Sequence, residues 1–207
     1  MRRNGISSSG PDARTIGLIQ RMQAITILWM TVEASVSLSA AWMTHSPALL
    51  AFGGDSAIEL LSAVTVLWRF RAPAQERSEK STAQIAAALL FVLAAYVAVV
   101  SPMTLYRDRE VKTTHLGIAI LICAALVMPW LAKAKRSLSA ITGSAALRAD
   151  AAQSGLCAYL SVIALVGLGI HPIWHHRWAD PIGALVIVPL ILWEGWESMR
   201  GRACGCC

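Results

Sequence analysis

Apolar stretches long enough to cross a bilayer follow one another through nearly the whole chain, separated by short clusters of Lys and Arg. A spanning helix needs about 20 predominantly apolar residues. Six such stretches can be drawn, at roughly 17–43, 48–70, 83–103, 116–131, 146–170 and 181–199. Composition agrees: of 207 residues 56% are hydrophobic and 14% charged, with a mean hydropathy of +0.57. A soluble domain rarely combines so much apolar surface with so few charges. The expected fold is an all-α integral membrane protein, a bundle of six transmembrane helices over 17–199. A basic tail at 1–16 precedes it and a Cys-rich tail at 200–207 follows.

The net charge of +6 serves topology rather than nucleic-acid binding, because the basic residues flank the apolar stretches. They gather in the N-terminal tail, in a loop with Arg69, Arg71, Arg77 and Lys80, after the fourth stretch at Lys133, Lys135 and Arg136, and at Arg200 and Arg202. The positive-inside rule then places both termini in the cytoplasm. His45 and the group His171, His175 and His176 fall on the outer side, and Trp42, Trp174, Trp178, Trp193 and Trp196 near the interfaces. His45-Ser46-Pro47 reads as a tight turn, and Ser137, Ser139, Thr142, Gly143 and Ser144 as a small polar linker. Residues 1–14 lack a short apolar core followed by a cleavage site, so they read as a retained tail.

Asp55 and Glu59 stand in the middle of the second apolar stretch. A carboxylate at mid-depth costs roughly 2.5–3.5 kcal/mol on insertion scales, so two on one helix need a compensating partner. Spaced i, i+4, they project about 40° apart and converge on one point, a seat for a cation or a proton. A buried structural pair is the alternative. On the fifth stretch Asp150, Gln153, Ser154 and Cys157 share a sector of about 100°. Facing Asp55 and Glu59, that stripe supplies oxygens and one sulfur, a mixture suited to a borderline or soft divalent ion rather than Ca²⁺ or Mg²⁺. Each member also has a plain structural reading: Cys157 as a small packing residue, Ser154 as a close-contact residue, Asp150 as a group solvated at the cytoplasmic mouth beside Arg148. Glu33 shares a polar stripe with Thr26 and Ser37 on the first stretch and so faces the interior, as a ligand, a proton carrier or a structural partner.

Outside the spans, Cys204, Cys206 and Cys207 offer two or three thiolates for an accessory metal, or form a tail with no partner. The His171 to His176 loop reads as a solvated turn more readily than as an exit-side metal site. Asp180-Pro181 is a helix-start signal, with Asp at the N-cap and Pro at N1. Glu194 and Glu197 read either as a solvated interfacial face or as attractors of cations. No nucleophile–base pair or metalloprotease spacing marks an enzyme, and no tightly bound cofactor is expected.

Ser46-Pro-Ala-Leu-Leu-Ala-Phe-Gly-Gly-Asp-Ser-Ala-Ile-Glu59 resembles the second transmembrane helix of the cation diffusion facilitators, closest to a short bacterial branch. Leu147-Arg-Ala-Asp-Ala-Ala-Gln, Trp178-Ala-Asp-Pro-Ile-Gly-Ala-Leu and the closing Glu194-Gly-Trp-Glu-Ser-Met-Arg-Gly resemble that branch's fifth and sixth helices. The resemblance implies a six-helix transporter, usually a homodimer, that exports a divalent transition metal against protons. It also implies a metal site made from the second-helix acid pair and a His-x-x-x-Asp pair on the fifth helix. Asp55 and Glu59 take the first pair of positions. Gln153 and Cys157 stand where the second pair belongs, so the usual zinc tetrahedron is not reproduced. The cytoplasmic metal-sensing domain of many members has no counterpart after Met199.

The reading that follows is a multi-pass protein of a bacterial inner membrane, a proton-coupled exporter of a Zn²⁺- or Cd²⁺-like ion. Asp55, Glu59, Glu33, Asp150, Gln153, Ser154 and Cys157 are its candidate metal-site residues. Its partners are the cation, protons, lipid and a second copy of the chain, with no nucleic acid. An uptake transporter or channel, and a non-transporting metal sensor working through its Cys tail, are the rival readings.

Overall fold

A computed structural model describes residues 13–71, 76–106, 114–143, 145–174 and 178–200. These form six helices: α1 Ala13–Thr44, α2 Pro47–Arg71, α3 Glu76–Tyr106, α4 His115–Thr142, α5 Ala145–Trp174 and α6 Ala179–Arg200. Each is long and apolar enough to cross a membrane, and the described residues contain no strand. The expected six-span helical architecture is therefore the one observed. Both tails, with Cys204, Cys206 and Cys207, and the loop residues His175 and His176 lie outside the described residues.

Helix boundaries follow local chemistry. His45 adopts the left-handed region (φ 55°) between α1 and α2, a conformation uncommon for a residue with a side chain. The Ser46 Oγ then accepts from the Leu49 N–H at 3.1 Å, and Pro47 stands in the first turn where it forfeits no helical bond. The α4 to α5 connection departs from expectation. Its polar residues do not form a linker, because α4 runs on through Lys133, Lys135 and Arg136 to Thr142. It stops only at Gly143, whose left-handed conformation (φ 64°) lets its N–H cap Ser139 O. Likewise α5 continues past His171-Pro172 to Trp174.

The helices associate closely as α1 with α2, α4 with α5 and α3 with α6. The centre is α2, which packs on α1, α3, α5 and α6, while α5 also meets α6 and α1 also meets α4. Glycine permits this crowding around α2. A Cβ at Gly53 would lie 2.9 Å from Ser37 Cβ and 3.0 Å from the Leu38 backbone N, and one at Gly54 would lie 2.7 Å from Leu93 Cδ1. These two positions admit α1 on one flank and α3 on the other, just before Asp55. Leu49, Phe52, Leu121, Met128, Leu160 and Ile187 fill the apolar interior. Leu28, Trp42, Leu126 and Tyr159 are exposed and face outward, as lipid requires.

Candidate cation site

A run of polar side chains is buried along the interior, although burying one without a partner is costly. On α1, Gln23, Thr26, Glu33 and Ser37 are all inaccessible, so the predicted stripe does face inward, extended by Gln23. On α5, Asp150, Gln153, Ser154 and Cys157 are buried as predicted. The stripe does not close on one point, however. Ser154 meets Glu59 and Cys157 meets Glu33, whereas Asp150 meets Lys135 and Gln23.

Nearest the end where α1 begins and α6 finishes, Lys135 of α4 points into the bundle with no exposure. Its Nζ lies 3.0 Å from Asp150 Oδ2 and 3.6 Å from Glu59 Oε1, and donates to Ser154 Oγ at 2.7 Å. Ser154 in turn donates to Glu59 Oε1 at 2.5 Å, and Gln23 Nε2 donates to Asp150 Oδ2 at 2.7 Å. Lys135 had looked like part of a basic cytoplasmic flank. It is instead a buried counter-ion joining α4 to α2 and α5. Asp150, for which a solvated position beside Arg148 was an alternative, is fully buried. Glu59 Oε2 and Asp150 Oδ1 are left without hydrogen-bond partners among the described residues.

Deeper in the bundle, Glu33 is held by three donors. Ser56 Oγ reaches its Oε1 at 2.7 Å, Cys157 Sγ reaches the same oxygen at 3.3 Å, and Trp29 Nε1 reaches Oε2 at 2.6 Å. Cys157 thus stands beside Glu33 and 3.8 Å from Ser56, not beside Asp55. Asp55 faces α6, where Glu194 lies beside it and beside Gln153 of α5. Glu194 is 5% exposed, so a solvated interfacial face does not describe it. Its Oε2 has no partner among the described residues.

Asp180 is structural, but for a helix other than its own. Its Oδ1 accepts from Ser46 Oγ at 2.6 Å, and its Oδ2 lies 3.5 Å from the Ala48 N–H. It therefore caps the start of α2 from the first turn of α6. This contact also fixes α2 and α6 as parallel neighbours that begin at the same end.

Six carboxyl groups (Glu33, Asp55, Glu59, Asp150, Asp180 and Glu194) thus share one buried ammonium among the described residues. Buried carboxylates in such excess must be neutralised by a proton or a cation. In this arrangement no three of the described His, Cys, Asp and Glu side chains converge as a metal cage. The acids are neighbours, with Asp55 one turn from Glu59 on α2 and facing Glu194 of α6.

Comparison with known proteins completes the description. Residues 24–201 match the family model for a cation efflux transmembrane domain. An uncharacterized transporter of the cyanobacterium Synechocystis sp. (strain ATCC 27184 / PCC 6803 / Kazusa) is 26% identical over 179 residues. That alignment takes in 80% of this chain, and the chain spans 56% of the relative's length.

Proposed function

This chain belongs to the cation efflux family, and from that premise we propose that it exports a divalent transition or heavy metal cation of the Zn²⁺ or Cd²⁺ class. Export runs across a bacterial inner membrane, in exchange for protons, and a homodimer is the working unit. The observation that carries this reading is the excess of buried carboxyl groups over buried ammonium in a multi-pass bundle. A protein whose described interior holds six acids and one lysine is built to accept positive charge from outside itself.

The cargo seat is built on Asp55 and Glu59 of α2. Glu33 of α1 and Gln153, Ser154 and Cys157 of α5 stand around it, while Asp150 balances Lys135 at its edge. Metal and protons compete for the same carboxylate oxygens, because a ligand must give up its proton to bind. Loading the ion draws acids together that otherwise lie apart, breaking the Ser154 to Glu59 and Cys157 to Glu33 hydrogen bonds. On the outer side a higher proton concentration returns protons to the oxygens and the ion leaves. A thiol among carboxylates tilts preference toward softer divalent ions.

Reconstituted into proteoliposomes, the protein is expected to move Zn²⁺ or Cd²⁺ in a manner that depends on a pH gradient. The Asp55→Ala/Glu59→Ala double variant is expected to lose that flux, and undiminished transport by it refutes the proposal. Direction is read in a metal-sensitive host: export protects the cell, whereas uptake sensitises it.

A further inference from the structure

We infer that Glu194 of α6 is a ligand of the transported cation, paired with Asp55, so that α6 joins α1, α2 and α5 in building the seat. This rests on the transport reading above and adds a residue from a helix which that reading does not use.

Three observations carry it. Glu194 is almost completely buried in the last third of α6, and one carboxylate oxygen has no hydrogen-bond partner among the described residues. Leaving a buried carboxylate oxygen unsatisfied is costly, so an arrangement that persists points to a partner for it. Second, that side chain neighbours Asp55, another carboxyl group, and Gln153. No ion pair joins either acid to a basic side chain among the described residues. The buried Lys135 is already engaged by Ser154, Asp150 and Glu59. Third, Glu59 carries its own free oxygen one turn beyond Asp55 on α2.

The chemistry suits a cargo ion better than a resident one. Two carboxylates from facing helices, with water filling the remaining positions, hold a divalent ion without enclosing it. A complete protein cage retains its metal, whereas a transported ion must be bound firmly enough to enter and loosely enough to leave. Gln153 acts differently, as a positioning residue whose amide orients the Glu194 carboxylate. The backbone supports this placement. Gly195 faces α3, where a Cβ would make ordinary contact with Leu90 Cβ at 3.4 Å, and the adjacent Glu194 is turned toward α2 and α5.

The test is binding of Zn²⁺ and Mn²⁺ to the full-length protein in detergent, by titration calorimetry and elemental analysis. Wild type is compared with Asp55→Asn, Glu194→Gln, Glu194→Asp and, as control, the half-buried Glu197→Gln. Glu194→Gln is expected to weaken binding at least as much as loss of an outer-shell partner does, about 10- to 100-fold. Glu194→Asp should retain most of the affinity, and Glu197→Gln should match wild type. Glu194→Gln within twofold of wild type, alongside lost binding in Asp55→Asn, overturns the inference and leaves the transport reading intact. Metal bound through both acids with no flux in proteoliposomes refutes transport and upholds the site. Glu194→His provides a readout independent of folding yield. An imidazole ligand raises the preference for Zn²⁺ over Mn²⁺, and a ratio equal to wild type overturns the assignment.

Discussion

Replacing Lys135 with Met removes the one ammonium that the described interior contains and leaves a side chain of similar length in its place. At 3.0 Å from Asp150 and 3.6 Å from Glu59, each attraction is about 5 kcal/mol at an effective dielectric constant of about 20. Desolvation of all three groups and repulsion between the two acids offset most of that sum. The net cost is therefore the value found when one partner of a buried pair is removed, about 3–5 kcal/mol. Lys135→Met is thus expected to lower the unfolding free energy in detergent by that amount, with little relief from added salt, because the pair is shielded from solvent ions. Adding Asp150→Asn removes the orphaned charge while keeping a hydrogen-bond acceptor for Gln23. The double variant should recover at least half of the loss. A Lys135→Met protein as stable as wild type, or a double variant no better than the single, refutes the counter-ion assignment.

Asp180→Ala removes the cap that α6 supplies to α2, and should cost about 1–2 kcal/mol in an unfolding titration. Ser46→Ala should cost less when added to Asp180→Ala than alone, because both act on one cap. Gly53→Val drives a side chain into Ser37 and the Leu38 backbone, and should destabilise by about 1–3 kcal/mol or more. Gly17→Ala, where nothing lies within 4 Å, should be neutral or slightly stabilising in the same measurement. Cys157→Ser exchanges the buried thiol beside Glu33 for a hydroxyl, and should reduce Cd²⁺ flux relative to Zn²⁺ flux in proteoliposomes.

The architecture was legible in the sequence because hydropathy and charge punctuation encode spans directly, and helical spacing correctly turned Glu33 and the Asp150 to Cys157 stripe inward. Lys135 was missed because a basic cluster after an apolar run is the usual sign that a span has ended. Its register held the information: Met128, Leu131, Lys135 and Leu138 follow at three- and four-residue intervals, the buried face of a helix that continues. Glu194 was obscured in the same way by the exposed Trp193 and Trp196 on either side, although Ile187 and Ile191 precede it on one buried face. Asp180 carried a true capping signal. Which helix it caps is set by the packing of α6 on α2, and no local pattern specifies that.

The polar contacts also constrain how the bundle can move. At one end α2 is tied to α6 through Ser46 and Asp180, and further along it is tied to α4 and α5 through Glu59, Ser154 and Lys135. Between these ties lie Asp55, Ser56 and their partners Glu194, Glu33 and Cys157. Opening the bundle toward the Lys135 end requires Glu59 to part from Ser154 and Lys135, which exposes a carboxylate at that end. Under the proposed transport, an arriving divalent cation would supply the charge that Lys135 relinquishes, so binding and opening would favour each other. Opening toward the other end leaves that ion pair intact and must disturb the Ser46 to Asp180 cap instead. Under the proposed transport the two ties would oppose one another across the acids, with α2 releasing one end at a time. Cysteines substituted in pairs across each end, and cross-linked with and without Zn²⁺, should report reciprocal accessibility; both ends opening together in the presence of the metal contradicts this account.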